Sequence, residues 1–295
     1  MNDDMHNDTD YKRRFLFETM DLRGEIVHLE RTLEDIHAIH AYPAGVARLL
    51  GEFVAASVLL ASTLKFRGSL TIQARSDRQV PLIMAECSSD LTVRAIARGA
   101  EEAVAHSFTE LLGDGQLVLT VSPERGNRYQ GIVPLENDSL AASIDAYFNQ
   151  SEQLQTRLYL ASDGQTAAGL LLQQLPAQLE KDAAQRREDW HRIGTLADTL
   201  SEKELLGVEE PRLLHRLFHE ETVRLFDPEA VCFRCSCSQD RTLAALSTIG
   251  EAEIRSILQE QGSVTMDCEF CNQRYVFNED ELRGLSSDTP TSQIH

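Results

Sequence analysis

The chain is short of positive charge. Its 28 lysines and arginines face 47 aspartates and glutamates, a formal net charge of −19 at pH 7. A field of that sign repels phosphate backbones, so nucleic acid is not expected as a partner. Such charge also keeps a protein soluble if it sometimes exposes apolar surface. Long hydrophobic runs are missing too. The most apolar stretch, Phe53 to Leu64, follows Arg48 and Glu52, precedes Lys65, and is too short to cross a bilayer. Met1 to Asp10 is polar and acidic, without the basic start and apolar run of a secretory leader. A cytoplasmic location with no membrane partner is the expectation, and there cellular reductants hold thiols reduced.

Catalytic signatures are also lacking, so no enzymatic activity is expected. There is no Ser-x-Gly elbow, P-loop or convincing nucleophile–base pair. Gly113-Asp114-Gly115 lacks the third glycine and the βαβ context of a dinucleotide site. His215 and His219 lie one helical turn apart, but His219-Glu220-Glu221-Thr222-Val223 misses the second histidine of a zinc-protease helix. An amphipathic helix carrying two histidines is the simpler reading.

What is present suffices for a large core and a smaller appendage, since 295 residues with 42% hydrophobic content bury a sizeable interior. Lys12 to His40 reads as an opening strand or irregular segment, then a helix on Leu29, Leu33, Ile36 and Ile39 that ends at Tyr42-Pro43. Val46, Leu49, Leu50, Phe53, Val54 and Val58 mark a second, core helix. Alternation at Leu70, Ile72 and Ala74, an apolar run from Val80 to Cys87, and alternation from Leu91 to Ala97 predict an antiparallel meander. Gln116 to Val121 and Tyr129 to Leu135 make a hairpin around Glu124-Arg125-Gly126-Asn127. A helix over Leu140 to Asn149 and two strands near Arg157 to Ala161 and Gly169 to Gln173 follow. Strands and helices come in blocks, so the fold class is α+β with a mainly antiparallel sheet and packed helices.

Around Pro176 the composition turns to Glu, Lys, Arg, Gln and Ala, with an apolar stripe of Trp190, Ile193, Leu196 and Leu200. Ser201 and Glu204 resemble a capping box, and Pro211 suits the first turn of a helix carrying Leu213, Leu214, Leu217 and Phe218 as far as Asp227-Pro228. These amphipathic segments have no thick core of their own, so they must dock on something and are easily released. The expected organisation is a core domain over 1–177, a helical linker over 178–229 and a small zinc-binding domain over 230–295.

The six cysteines are unevenly placed. Cys87 sits in an apolar strand and reads as a core residue. The others crowd the tail as Cys232, Cys235, Cys237, Cys268 and Cys271. Four thiolates satisfy a tetrahedral zinc site, and paired ligands at short spacing limit the entropy of assembling it. Two sets fit: Cys235, Cys237, Cys268 and Cys271, or Cys232 and Cys235 with Cys268 and Cys271. Spacing alone slightly favours the second. The tail has few large apolar residues, so its core supplies only a few kcal/mol against the roughly 10–16 kcal/mol of a structural Zn²⁺. Loss of the metal unfolds such a module, and oxidation removes thiolates as ligands.

At these residues the chain resembles the 33-kDa heat-shock protein family of redox-regulated holdase chaperones. The likeness lies in Phe233-Arg234-Cys235-Ser236-Cys237-Ser238, Asp267-Cys268-Glu269-Phe270-Cys271 and Tyr275-Val276-Phe277. It extends to Arg14-Phe15-Leu16-Phe17-Glu18, Leu22-Arg23-Gly24-Glu25, Tyr147-Phe148-Asn149-Gln150-Ser151-Glu152-Gln153 and Leu171-Leu172-Gln173-Gln174-Leu175-Pro176. The resemblance implies one Zn²⁺ per chain in the reduced state, on Cys235, Cys237, Cys268 and Cys271. It implies redox disulfides Cys235–Cys237 and Cys268–Cys271, loss of zinc, linker unfolding, and a change from monomer to homodimer. Unfolding client proteins are then held without ATP. Trp190, Leu213, Leu217 and Phe218 are the candidate client-binding residues. Gln155 and Ala168 depart from the family's usual proline and glycine, and Cys232 is an extra thiol able to mispair or to act as a resolving cysteine. The alternative is a thiol-disulfide oxidoreductase using Cys268 and Cys271, although that motif precedes no clear strand-to-helix turn of the thioredoxin type and two cysteine pairs exceed what such chemistry needs.

Overall fold

The computed structural model describes residues 10–64, 67–151, 155–246, 249 and 251–282. The acidic stretch before Asp10, Lys65, Glu152, Gln153 and the tail after Leu282 lie outside them. In chain order come β1 (Tyr11–Phe17), β2 (Leu22–Leu29), α1 (Arg31–Ile39), α2 (Ala44–Ala61), β3 (Gly68–Arg75), β4 (Leu82–Ser88) and β5 (Thr92–Arg98). They are followed by α3 (Phe108–Leu112), β6 (Gln116–Pro123), β7 (Tyr129–Pro134), α4 (Leu140–Ser151), β8 (Thr156–Ser162) and β9 (Ala167–Gln174). Next are α5 (Ala183–Ala197), α6 (Glu202–Gly207), α7 (Glu210–Phe218), β10 (Val223–Leu225), β11 (Glu229–Ala230) and β12 (Cys232–Phe233). The tail holds α8 (Gln239–Leu246), α9 (Glu251–Gln261), β13 (Val264–Asp267), β14 (Arg274–Phe277) and α10 (Glu279–Leu282). The class is α+β, as the blocks of strands and helices implied.

The chain divides into two compact units, Met1–Arg234 and Cys235–His295. The first contains two sheets, ordered β10-β1-β2-β9-β8, with β11 also on β1, and β12-β5-β4-β3-β6-β7. Every pairing in them is antiparallel except β12 on β5. Helix α2 packs against strands of both sheets. By length and composition its 18 residues, with mean hydropathy 1.7, reach the size of a membrane span, yet 83% of it is buried inside the protein. The helix begins two residues before the expected Val46, and its hydrophobicity on every side follows from having a sheet on either flank. Gly51 permits the approach, because a Cβ there would stand 2.3 Å from the Ser162 hydroxyl.

The sheet containing β1, β2, β8 and β9 is covered on both faces. Val27, Leu29, Leu158 and Leu171 join the core around α2. Phe15, Phe17, Leu22, Ile26, Leu170 and Leu172 point the other way, against Ile193, Leu205, Leu213, Leu214, Leu217 and Phe218 of α5, α6 and α7. Two buried faces explain why β9 reads as an unbroken apolar run. Polar anchors add to the docking of these helices. The buried Asp21 carboxylate accepts the backbone N–H groups of Gln178, Leu179 and Glu180 and pairs with Arg186 at 2.7 Å. Desolvation opposes its charge, but these donors hold Asp21 below the usual carboxylate range. Asp198, at the end of α5, takes Arg157 at 2.8 Å and the Tyr159 hydroxyl at 2.7 Å.

Several local expectations are corrected. The opening segment is a β1–β2 hairpin, and Leu29 closes β2 rather than starting a helix. Helix α1 begins at Arg31 because the Asp10 carboxylate accepts the N–H groups of Glu30 and Arg31 at 2.7 and 2.9 Å, a cap supplied from a distant position. Strand β4 alternates, with Ile83, Ala85 and Cys87 inward, and is not buried on both faces. The helix expected to reach Asp227 stops at Phe218, and β10 continues from it onto β1, pairing Phe15 with Leu225. The capping box of Ser201 and Glu204 forms, and Pro211 lies in the first turn of α7.

Candidate metal centre

The second unit is thin. Its core comprises Leu246, Ile254, Val264, Phe277 and Leu282, edged by Leu243, Ile249, Ile257, Leu258, Met266 and Tyr275. Two short segments carry its cysteines. Cys235 and Cys237 lie in the extended stretch before α8, where Arg241 reaches back to the carbonyl and hydroxyl of Ser236, each at 2.8 Å. The Ser238 hydroxyl accepts the Arg241 N–H at 3.2 Å, an N-cap type of bond that starts α8 directly after the thiols.

Cys268 and Cys271 occupy the turn between β13 and β14. The Cys268 carbonyl accepts the N–H groups of Cys271 and Asn272 at 3.3 and 2.7 Å, and the Cys268 N–H donates to Gln273 at 2.9 Å. Asn272 has φ 55°, the left-handed conformation that asparagine tolerates in tight turns. Across the hairpin Arg274 grips Asp267 in a two-pronged ion pair at 2.7 and 2.9 Å. This tight turn directs both sulfurs of the Cys-x-x-Cys pair to one side.

The four Sγ atoms lie within 4.8 Å of one another. Cys235 and Cys268 sulfurs are 3.6 Å apart, and those of Cys237 and Cys271 are 3.4 Å apart. A disulfide bond requires about 2.05 Å, so all four are free thiols. In a tetrahedron of sulfurs about 2.3 Å from a central zinc, each edge is about 3.8 Å. The cluster has that size, and its half-buried donors could hold a metal ion. Among the described residues no other group of three or more His, Cys, Asp or Glu side chains is close enough to share one.

The electrostatics are uneven. Burial pushes the Cys235 and Cys271 thiols up; the neighbouring sulfurs all add to this at Cys271, whereas at Cys235 those of Cys237 and Cys268 add to it and that of Cys271 opposes it. Desolvation also works against the Cys237 thiolate, yet the Tyr275 hydroxyl, donating to its sulfur at 3.1 Å, and the neighbouring sulfurs hold Cys237 below its ordinary value. In the sequence Tyr275 stands only in the Tyr275-Val276-Phe277 likeness and among the few apolar residues of the tail, with no sign of a donor role. Its role as a donor emerges because β14 pairs it with Met266, just before the cysteine turn.

Cys232 is outside the sulfur cluster. It belongs to the first unit, half-buried in β12, where its N–H reaches the Leu91 carbonyl at 3.3 Å and Arg234 reaches Val93 at 2.9 Å. Cys87 is fully buried in β4, and desolvation drives its thiol far above the ordinary value. His215 and His219 stand with ring centroids 6.4 Å apart at the end of α7. Of the candidate client residues, Leu213, Leu217 and Phe218 are buried under α7 and Trp190 is half-buried beside them. Phe218 meets Phe17 edge-on at 5.1 Å.

A family model described as Hsp33 protein matches residues 10–278. The chain belongs to the Hsp33 family. A 33 kDa chaperonin of Pseudomonas paraeruginosa is 49% identical over 294 residues, covering 97% of this chain and 99% of its own. One from Azotobacter vinelandii is also 49% identical, over 98% of this chain and all of its own length. The crystal structure of the 33 kDa chaperonin (heat shock protein 33 homolog) from Thermotoga maritima superimposes with a TM-score of 0.76 at 23% identity. It covers 92% of this chain and 97% of its own, so the two share a fold. Family membership supports a chaperone role.

Proposed function

We propose that this chain is a redox-regulated holdase that carries one Zn²⁺ when reduced and is then largely inactive. The observation that carries the reading is the convergence of four thiols on a metal-sized space beside a core too small to stand alone. Cys235, Cys237, Cys268 and Cys271 would hold the ion, which supplies fold stability rather than catalysis. Oxidation pairs Cys235 with Cys237 and Cys268 with Cys271. Each thiolate pair yields two electrons to a peroxide, which takes two protons from solvent and departs as two waters. The thiolates then cease to be ligands, the metal is lost, and the switch domain, 230–295, unfolds.

The linker, 178–229, is the element to be released. Its apolar contacts and polar anchors lie on a sheet face that includes Phe15, Phe17, Ile26, Leu170 and Leu172. Releasing it frees Trp190, Leu213, Leu217 and Phe218 together with the face they cover, leaving the core domain, 1–177, folded. A cytosolic holdase of this kind binds unfolding proteins without ATP and passes from monomer to dimer on oxidation. The position of Cys268 and Cys271 in a β-hairpin turn, rather than at a helix N-terminus, favours a ligand pair over a thiol-disulfide oxidoreductase.

The test compares reduced and peroxide-treated protein, the latter with mild heat. The expected result is release of one zinc per chain, disulfides within the two pairs, and suppression of aggregation of a chemically unfolded client in the oxidised sample only. Equal suppression in both states, or oxidation that leaves the zinc in place, would sink the switch. Zinc retained by Cys237→Ser but lost by Cys232→Ser would reverse the ligand assignment.

A further inference from the structure

Beyond the redox site, a cleft opens between the two sheets at the point where α2 ends. Its volume is about 230 Å³. Leu60, Thr63 and Leu64 form one end, and Leu70, Leu119 and Val121 form an aliphatic floor. Tyr129, Tyr147 and Phe148 supply an aromatic wall, and Arg23 with Gln173 closes the remaining side. The wall is ordered: Tyr147 meets Phe148 edge-on at 5.5 Å, and its hydroxyl lies 3.2 Å from that of Tyr129. Gly131 lets it lie against bare β7 backbone, since a Cβ there would stand 2.4 Å from the Tyr147 hydroxyl.

We propose that this cleft binds a medium-chain alkyl carboxylate, with Arg23 as the carboxylate receptor. Among the described residues Arg23 is the only cationic side chain in the lining. It donates to the neutral Gln173 amide oxygen at 3.1 and 2.6 Å, and among the described residues it forms no ion pair. The nearby Glu25 is engaged by Lys12 at 3.4 Å. Burial pushes the Arg23 guanidinium below its ordinary value; Glu25 opposes this and Arg14 adds to it. A cation so placed gains from an anion, and its fork geometry suits a carboxylate.

The backbone decides between a lipid-like ligand and a peptide. The strands carrying Arg23, Gln173, Leu70, Leu119 and Val121 are interior to their sheets and paired on both sides. Those ladders leave no row of amides for a peptide at the floor; β7, which carries Tyr129, is the edge of its sheet, but an alkyl chain requires no amides at all. Since a cavity of about 150 Å³ accommodates the six carbons of benzene, 230 Å³ suits about nine.

Titration of the reduced full-length chain with nonanoate and 1-nonanol, followed by methyl NMR, tests this. Nonanoate is expected to saturate one site per chain and to shift the methyl signals of Leu70, Leu119 and Val121. Nonanol is expected to bind at least roughly tenfold more weakly, a comparison that needs no variant. Arg23→Met should weaken nonanoate by a similar factor and Arg23→Lys much less, while Leu119→Trp should abolish the shifts. Equal binding of acid and alcohol, or shifts at Leu170 and Leu172 in place of the cleft methyls, would overturn the proposal. Tighter occupation of the cleft by a leucine-terminated hexapeptide would overturn it as well. All arms use reduced protein, so the outcome is independent of the redox reading.

Discussion

Replacing Ile193 by alanine should loosen the helices over the β1–β2–β9–β8 sheet while leaving the rest of the first unit intact. Ile193 is fully buried on α5, within the cluster that contains Phe15, Phe17, Leu170 and Phe218. Its truncation leaves a cavity between a helix and a sheet face, and the cost for such a change is about 3 kcal/mol. That is a factor of roughly 150 in the equilibrium between docked and released helices. The polar anchors at Asp21 and Asp198 are untouched, so the loss falls on packing alone. Hydrogen exchange of the reduced, zinc-loaded chain reads it directly. Amides of α5, α6 and α7 should lose protection by about that factor, while those of β3 and β6, in the other sheet, keep theirs. Suppression of client aggregation without oxidant should rise in parallel. A uniform loss of protection across the first unit would refute the idea of a separately releasable linker. Loosened helices with no gain in holding would break the link between release and activity.

Three further outcomes are expected. Chelation of the proposed metal from reduced protein should abolish the amide dispersion of β13 and β14 in NMR spectra while the first unit stays folded, because the five buried apolar residues among those described cannot sustain the second unit alone. Tyr275→Phe removes the hydroxyl that donates to Cys237 and should weaken zinc binding roughly tenfold in competition with a chromophoric chelator. Glu52 is held up at about 7, first by burial and then by Glu202 on α6, with Arg48 opposing. The folded state therefore binds a proton that the unfolded chain releases near 4.5, so this group's contribution to stability is present below that value and is lost as pH rises to about 7. Glu52→Gln should flatten the dependence of thermal stability on pH across that window, and an unchanged slope would show that Glu52 ionises freely.

Much of the molecule was legible because it is local. The hairpin of β6 and β7, the meander of β3, β4 and β5, the capping box at Ser201 and the proline in the first turn of α7 each depend on residues a few positions apart. The errors fall where distant residues decide. The Asp10 cap starts α1 from outside the helix, and β10 and β12 are strands only because edges of β1 and β5 await them. Two- and three-residue strands have too short a pattern to register by alternation. The apolar helix α2 was recognised as core from Val46 to Val58, within two or three residues of its observed ends at Ala44 and Ala61.

By itself the sequence determined that this protein has a tail of paired cysteines able to bind a metal on an acidic α+β body, because thiol spacing and hydrophobic period are properties of neighbouring residues. It left open which four of five tail sulfurs share a space. The tertiary structure draws Cys232 into a parallel pairing with β5 and gathers Cys235, Cys237, Cys268 and Cys271 around one point. It also decides that one sheet is buried on both faces and that Arg23, at the end of an apolar cleft, donates to Gln173 and forms no ion pair among the described residues. Those outcomes rest on register and packing between segments far apart in the chain, which no local pattern encodes.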